Sequence, residues 1–87
     1  MDIRKVDLNL LLVLDAMYRH QHVTRAGESL GLSQPAMSAA LSRLRQLFGD
    51  PLFVRARQGM TPTPRAQSLQ TVVRDVVQQI THQILQP

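Results

Sequence analysis

The stretch that decides the fold covers residues 23–47 and reads VTRAGESLGLSQPAMSAALSRLRQL. Gly31 stands where a helix can end in a left-handed residue, and Ser33 can cap the helix that follows. Pro35 falls in the first turn of that second helix, where its missing N–H removes no intrahelical bond. Two helices joined by a short turn that contains glycine are typical of the helix-turn-helix motif, whose second helix usually enters the major groove of DNA.

The second helix of this motif has two different faces. Its apolar residues recur at spacings of four, three and four, which predicts one buried stripe of Met37, Leu41, Leu44 and Phe48. At about 100° of rotation per residue, another face collects Gln34, Pro35, Ser38 and Ser42, with Arg45 beside them. Glutamine can read adenine, serine hydroxyls can bind bases or phosphates, and proline methylenes can touch a thymine methyl group. We predict a base-reading face; the alternative is an ordinary surface rich in Ser and Ala.

The positive charge is concentrated in one segment. The chain carries 10 Lys and Arg against 6 Asp and Glu, a formal net charge of +4. Charges cancel within residues 1–42 and within residues 66–87, so the whole excess lies in residues 43–65, where Asp50 is the one acid. The arginines of this segment are Arg43, Arg45, Arg55, Arg57 and Arg65. Such clustering predicts a phosphate-binding surface, the alternative being a solvated face that is basic by chance.

Residues before the motif are predicted to supply the core. Asp7 can cap a helix from about Leu8 to Arg19, which is apolar on more than one side and therefore central. Thr24 is predicted to cap the first helix of the motif. Gly27 lies inside that helix, where glycine is unfavourable, so we expect a close approach to a neighbouring helix there.

A β-hairpin is predicted after the motif. Residues 52–55 read LFVR, residues 58–59 form a turn signal, and residues 60–63 can return antiparallel. Arg55 and Arg57 then lie near the hairpin tip, where such a wing adds phosphate or minor-groove contacts. We interpret Phe53 as packing the wing onto the core. Residues 1–63 therefore form the predicted DNA-binding domain.

Residues 64–87 are predicted to form a long helix, capped by Thr63 and reaching about Gln86. Its apolar residues recur at four, three, four and four, and are Leu69, Val73, Val76, Ile80 and Ile84. A small core cannot cover so long a stripe, so we predict a homodimer that presents two recognition helices to two half-sites. The alternative is a helix folded back onto its own domain. Because no polar tail precedes Pro87, we expect a domain excised from a longer protein.

Other classes of protein are less consistent with this sequence. It has no cysteine, no apolar run of about 20 residues and no signal-peptide pattern, so we expect a cytoplasmic protein without a membrane partner. His20, His22 and His82 lack paired acids at ligand spacing, so we expect neither an enzyme nor a metal or other cofactor. The remaining alternative is an interaction module in which the long helix is functional and the basic segment incidental.

These residues resemble the N-terminal DNA-binding domain of LysR-type transcriptional regulators. The similarity rests on TRA at residues 24–26, LGLSQPAMS at 30–38, LFVR at 52–55 and PTP at 62–64, and it covers nearly the whole chain. The DLNLL of residues 7–11 and the DPLFVR of residues 50–55 are similar to the branch of nodulation and aromatic-degradation regulators.

The resemblance implies a mainly α fold, a winged helix-turn-helix of three helices and a two-stranded wing, followed by a dimerising linker helix. It implies that a dimer binds an interrupted palindrome in double-stranded DNA, with a T and an A in opposite half-sites. It also implies an absent effector domain for a small-molecule inducer, and it leaves a tetramer open to the full-length protein. Carried over to this sequence, the DNA contacts come from Ser33, Gln34, Pro35 and Ser38 of the recognition helix and from Arg55 of the wing.

The chain departs from the family pattern at several positions. Gly27 stands where many members have Ala, and Ala39 where relatives often have a longer polar residue. Arg45 replaces a common Glu, and Arg65-Ala66 replaces a common Ala-Gly pair. These departures put a base contact from position 39 in question and allow an added phosphate contact from Arg45.

Overall fold

The computed structural model describes residues 1–86, which form four α-helices and one antiparallel hairpin. The elements are α1 (Asn9–His20), α2 (Val23–Leu30), α3 (Gln34–Phe48), β1 (Phe53–Ala56), β2 (Gly59–Pro62) and α4 (Pro64–Gln79). A 3-10 turn at Ile3–Lys5 precedes α1, and a π-helical turn at Ile80–Ile84 follows α4. The predicted mainly α, winged helix-turn-helix fold with a linker helix is confirmed.

The turn between α2 and α3 has the predicted geometry. Gly31 adopts a left-handed φ of 67°, and its N–H donates back to carbonyl groups of α2. Ser33 is extended, and its Oγ accepts the N–H of Ala36 at 3.2 Å. Pro35 lies in the first turn of α3, and Gly49, with a φ of 60°, ends that helix. Local residue chemistry therefore fixes both ends of the recognition helix.

The predicted cap of α2 is wrong. The helix begins at Val23, and His22, not Thr24, precedes it with an extended backbone. The Nδ1 atom of His22 accepts the N–H of Arg25 at 3.3 Å, which is the bond that a Ser or Thr hydroxyl usually supplies. The predicted cap of α1 is also wrong, because the helix begins at Asn9 and the residue before it, Leu8, makes no side-chain cap bond. Asp7 lies one residue further from the helix, and its Oδ1 accepts the Asn9 N–H at 3.0 Å.

α1 lies at the centre of the core, as predicted. Its Leu14 and Met17 have no exposed surface, and Tyr18 is 7% exposed. The ring of Tyr18 packs edge-to-face against Phe53 of β1, with centroids 5.3 Å apart. The Tyr18 hydroxyl donates a hydrogen bond to the carbonyl oxygen of Ala66 in α4. One side chain of α1 therefore contacts both the hairpin and the linker helix, and the predicted packing of Phe53 onto the core is confirmed.

The hairpin of β1 and β2, which we call the wing, is attached to the end of α1 through backbone atoms. Phe53 pairs with Pro62 and Arg55 with Met60 in the antiparallel register. The N–H of Met60 donates to the carbonyl oxygen of Gln21 at 2.8 Å. Gly59 has a φ of 92°, and a Cβ atom there would collide with the same carbonyl. Only glycine therefore allows the wing to lie this close to α1.

The linker helix is shorter and more firmly packed than predicted. The α-helical hydrogen bonding ends at Gln79 and continues as the π turn to Ile84, so the prediction of one helix to Gln86 is wrong for its last residues, and Pro87 lies outside the described residues. The Thr81 hydroxyl donates to the carbonyl of Val77 at 2.8 Å, a contact that commonly distorts helices. Leu69 is half-buried and Val73 is 7% exposed, because both pack onto the core of their own domain.

Candidate nucleic-acid interface

A cleft of about 640 Å³ lies where the amino ends of α2 and α3 approach the wing. Gln34 enters it from α3, His22 and Thr24 from the start of α2, and Arg55 and Arg57 from the wing. The cleft therefore joins the predicted base-reading residue Gln34 to two of the predicted phosphate-binding arginines. These residues are up to 35 positions apart in the sequence, and the packing of the wing against α1 brings them together.

Gln34 is exposed at the edge of this cleft. Its Nε2 lies 3.5 Å from the hydroxyl oxygen of Thr24, at the outer limit of a hydrogen bond. A bond this long is easily exchanged for a better one, and the amide can offer a donor and an acceptor to one base edge. Thr24 therefore only weakly restrains the Gln34 side chain at the edge of the cleft.

The outward face of α3 is small, polar and free of acids. Pro35, Ser38 and Ser42 are all exposed, as is Ala39 between them. Ser33 uses its hydroxyl oxygen to accept the Ala36 N–H, so the hydroxyl hydrogen stays free to donate. α3 has no Asp or Glu along its whole length, and nothing on this helix repels a phosphate. Short side chains let the helix backbone approach a base edge closely.

Arg55 and Arg57 supply the positive charge of the cleft. Arg55 lies on β1, and Arg57 stands in the turn between the two strands. Within residues 1–86 neither forms an ion pair with an acid. Both guanidinium groups are therefore available to bidentate recognition of phosphate oxygens.

The other arginines of the basic segment lie elsewhere. Arg43 is about 180° around α3 from Gln34 and pairs with Asp7 at 3.5 Å. Arg45 lies on the same side as Gln34, and its Nε donates to the carbonyl oxygen of Pro51 at 3.1 Å. Arg65 stands over the Phe48 ring at 5.9 Å. The five arginines of residues 43–65 therefore do not all face the cleft, although they are neighbours in the sequence.

Sequence reasoning missed His22 and Thr24 as parts of this site. The Nδ1 of His22 accepts a backbone N–H, which leaves Nε2 to carry the hydrogen of the neutral ring, a donor beside Arg55 and Gln34. Histidine is an uncommon helix cap, so the pattern favoured Thr24 as the cap. The sequence signal that could have identified His22 as the cap is its position directly before the first residue of α2.

The described part of the chain gives no sign of a metal centre. Across residues 1–86, no three His, Cys, Asp or Glu side chains are close enough to hold a metal ion. His20 ends α1, His22 precedes α2 and His82 lies in the π turn, so the three histidines belong to different elements. No helix in this range is both long and apolar enough to cross a membrane.

Known proteins with similar sequences belong to one family of bacterial regulators. Residues 8–67 match the model of the bacterial regulatory helix-turn-helix proteins of the lysR family. The chain is 51% identical over 80 residues to nodulation protein D 2 of Rhizobium tropici, covering 92% of this chain and 26% of that protein. It is 48% identical over 82 residues to the regulator LeuO of Escherichia coli, covering 94% of this chain and 26% of LeuO. The predicted similarity to nodulation regulators is confirmed.

Solved structures share the fold. A probable transcriptional regulator of Pseudomonas aeruginosa, PA0477, superposes with a TM-score of 0.89 at 44% identity, over 94% of this chain and 28% of that one. The BenM DNA-binding domain, solved in complex with catB site 1 DNA, superposes with a TM-score of 0.81 over 91% of this chain and 89% of that one. At 20% identity, this second similarity shows the fold alone.

The chain spans about a quarter of the length of the curated relatives that it matches. LeuO is a transcriptional regulator, and the matched family is one of bacterial regulatory proteins. The family match covers α1, the helix-turn-helix, the wing and the first turn of α4. This chain belongs to the LysR family of bacterial regulatory helix-turn-helix proteins.

Proposed function

We propose that this chain is the DNA-binding part of a LysR-type transcriptional regulator and binds double-stranded DNA sequence-specifically. The observation that carries the proposal is the cleft that joins the uncharged face of α3 to two arginines, which have no acidic partner among residues 1–86. A helix bearing short polar groups suits the major groove, and arginines on an adjacent wing suit the phosphates or the neighbouring minor groove. BenM, solved with DNA, shares this winged fold.

The residues of α3 divide into base readers and phosphate contacts. Gln34, Pro35, Ser38 and Ser42 project from the exposed face and would read base edges, while Ser33 at the start of the helix would donate its hydroxyl hydrogen. Arg55 and Arg57 would hold phosphates from the wing.

Arg43 and Arg45 would extend the phosphate contacts along α3. The Arg43 side chain is 65% exposed, and its pair with Asp7 is a long one at the surface, which a phosphate can displace. Arg45 keeps its terminal guanidinium nitrogens for a phosphate while its Nε is bound to Pro51.

Dimerisation through the carboxyl-terminal helical segment is the second part of the proposal. Val76, Ile80 and Ile84 are 37%, 44% and 69% exposed, and Val72 beside them is 61% exposed. A second copy would cover this exposed strip, with Leu69 and Val73 supporting it from the core. Two recognition helices would then meet half-sites about one helical turn apart or a multiple of it, which matches an interrupted palindrome.

The rest of the activity belongs to the longer protein. Relatives of about four times this length leave room for a domain that binds a small-molecule inducer, and for tetramer formation by the full-length chain. A regulator of bacterial promoters works in the cytoplasm, where we place this protein.

A salt titration tests DNA binding directly. We expect the affinity for duplex DNA to fall steeply with salt, because the two wing arginines together with Arg43 and Arg45, in each subunit of a dimer, would displace cations from about eight phosphates. The slope of log affinity on log salt should be about −7. A flat slope, with self-association retained, would support the rival interpretation in which the chain is only an interaction module.

A further inference from the structure

One carboxylate oxygen connects the end of the recognition helix to the start of the linker helix. The Oδ2 of Asp50 accepts the N–H of Leu52 at 2.8 Å and the hydroxyl of Thr63 at 2.7 Å. Thr63 is the N-cap of α4, and its Oγ1 accepts the N–H of Ala66 at 3.2 Å. A continuous chain of hydrogen bonds therefore runs from the residue after Gly49 to the first turn of α4.

The loop that carries Asp50 is strained at Leu52. Leu52 is 1% exposed and adopts a left-handed φ of 64°, which is unfavourable for a residue with a branched side chain. Its N–H is held by Asp50, and its carbonyl accepts the N–H of Thr63 at 2.8 Å. Arg45 clamps the same loop from α3 by donating to Pro51. Such a strained loop persists because its bonds over-determine its shape.

The negative charge of Asp50 is electrostatically favourable for α4 and unfavourable for α3. Asp50 lies just beyond the carboxyl end of α3, where the helix dipole disfavours an anion. Through Thr63 the carboxylate reaches the amino end of α4, where an anion is favourable. It is also the one acid among residues 43–65. An acid at this position is therefore best explained by what it does to the linker helix.

We propose that Asp50 is a positioning residue that fixes the angle between α3 and α4, and thereby the half-site spacing that the dimer accepts. The proposal rests on dimerisation through α4 and DNA reading by α3, as proposed above. A tilt of α4 by about 10° about its first turn, taken up by repacking of Leu69 and Val73, moves the far end of its α-helical part, about 24 Å away, by about 4 Å. That displacement exceeds the rise of one base pair, about 3.4 Å. Without the Asp50–Thr63 bond, the dimer would accept several distances between half-sites, while the contacts of each α3 with its own half-site would stay the same.

The test compares Asp50→Ala with Asp50→Asn, whose amide oxygen can still accept both hydrogen bonds. Binding is measured on a palindrome selected with the wild-type chain, on versions with its centre changed by one or two base pairs, and on a single half-site. We expect the wild-type chain and Asp50→Asn to prefer one spacing by about tenfold. Asp50→Ala should bind the single half-site within about twofold of wild type and lose most of that preference.

A folded Asp50→Ala with the wild-type spacing profile would overturn the proposal. If Asp50→Ala loses its helical circular dichroism, Thr63→Val decides, because it keeps the Asp50–Leu52 bond and removes both bonds by which the Thr63 hydroxyl links Asp50 to the first turn of α4. Thr63→Ser, which keeps the hydroxyl, is its control. An unchanged profile in Thr63→Val, or unfolding of both variants, would show that the junction serves stability alone. A wild-type chain that binds half-sites with no preferred spacing would instead refute the dimeric function.

Discussion

Gly27 of α2 packs directly against Met37 of α3, so closely that a Cβ atom at position 27 would lie 2.7 Å from the Met37 Cγ. The same Cβ would lie 3.2 Å from the carbonyl oxygen of Leu32. Both the glycine and the methionine are buried. The close approach predicted for Gly27 is therefore confirmed, and it sets the distance between the two helices of the DNA-binding motif.

Replacing Gly27 with Ala should destabilise the fold. Alanine improves helix propensity by about 1 kcal/mol, but overpacking at the Met37 contact costs about 1 to 3 kcal/mol. We expect urea denaturation to show a net loss of about 1 kcal/mol in the free energy of unfolding. In a double-mutant cycle, Met37→Ala should relieve part of this cost, and strictly additive effects would count against the contact as its cause.

Gln34→Ala should reduce base discrimination. The amide stands at the edge of the exposed face of α3 with only a weak tie to Thr24. We expect a loss of about 1 to 3 kcal/mol of discrimination at one base pair in each half-site, measured by titration of cognate and single-substitution duplexes. Thr24→Ala, which removes the tie alone, is the matched control and should change discrimination less. Equal losses on cognate and scrambled duplexes would argue against base reading by Gln34.

Arg55→Ala should weaken binding to all duplexes alike. Arg55 lies in the cleft without an acidic partner in residues 1–86, so its proposed role is to hold a phosphate. Its loss should lower the magnitude of the salt slope by about 1 for each arginine removed. Arg74→Ala is the control, since it removes an equal charge from α4, outside the cleft. A defect confined to the cognate duplex would show that Arg55 reads sequence instead.

Val76→Asp should separate the dimer into monomers. Val76 is 37% exposed in the strip that we assign to dimerisation, and a second copy covering it would bury an unpaired carboxylate. Sedimentation should show a monomer at concentrations where the wild-type chain is a dimer. Thr71→Asp adds the same charge at an exposed position about 140° around the helix and should leave the dimer intact. If both variants remained dimeric, the dimer interface would have to lie elsewhere on the chain.

The stability of the domain should fall at alkaline pH because of Tyr18. Burial raises the pKa of Tyr18 above its ordinary value, since the hydroxyl is enclosed in the core and donates to Ala66. The folded state therefore keeps its proton where the unfolded state loses it. Stability from this group is fully present below the unfolded pKa of about 10 and is lost as the pH rises through the folded value.

The chain has one tyrosine, so its ultraviolet absorbance on ionisation reports this group alone. Absorbance and helical circular dichroism should change together above about pH 10. Tyr18→Phe should cost about 1 kcal/mol at neutral pH, through the lost hydrogen bond, and should weaken the alkaline transition. Ionisation at the pH of a free tyrosine, with the fold intact, would contradict the buried role.

Local signals predicted the fold because the decisive contacts are between near neighbours. Gly31, Ser33, Pro35 and Thr63 act within one helical turn of their own positions, and the structure confirms each role. The cap of α2 was mispredicted, because His22 acts through a ring nitrogen whose hydrogen-bonding state the sequence does not reveal.

The candidate site was harder to predict, because it depends on contacts between distant elements. The segment that holds five arginines is continuous in the sequence, yet Arg43 packs towards Asp7 while Arg55 and Arg57 border the cleft. In α4 the apolar period predicted one continuous stripe. Because Val73 packs onto the core, this stripe is divided into a buried part and an exposed part. The tertiary contacts between α4 and α1 determine where the division falls, and the sequence pattern does not show them.

The attachment of the wing has a consequence for how the affinity of such a regulator for DNA can change. Met60 binds the Gln21 carbonyl through backbone atoms, and Gly59 contributes no side chain at all. The location of the wing therefore does not depend on the identities of Arg55 or Arg57. Substitutions at those two positions can strengthen or weaken phosphate binding while the fold stays intact, so the overall affinity for DNA can change without a change in the bases that α3 contacts.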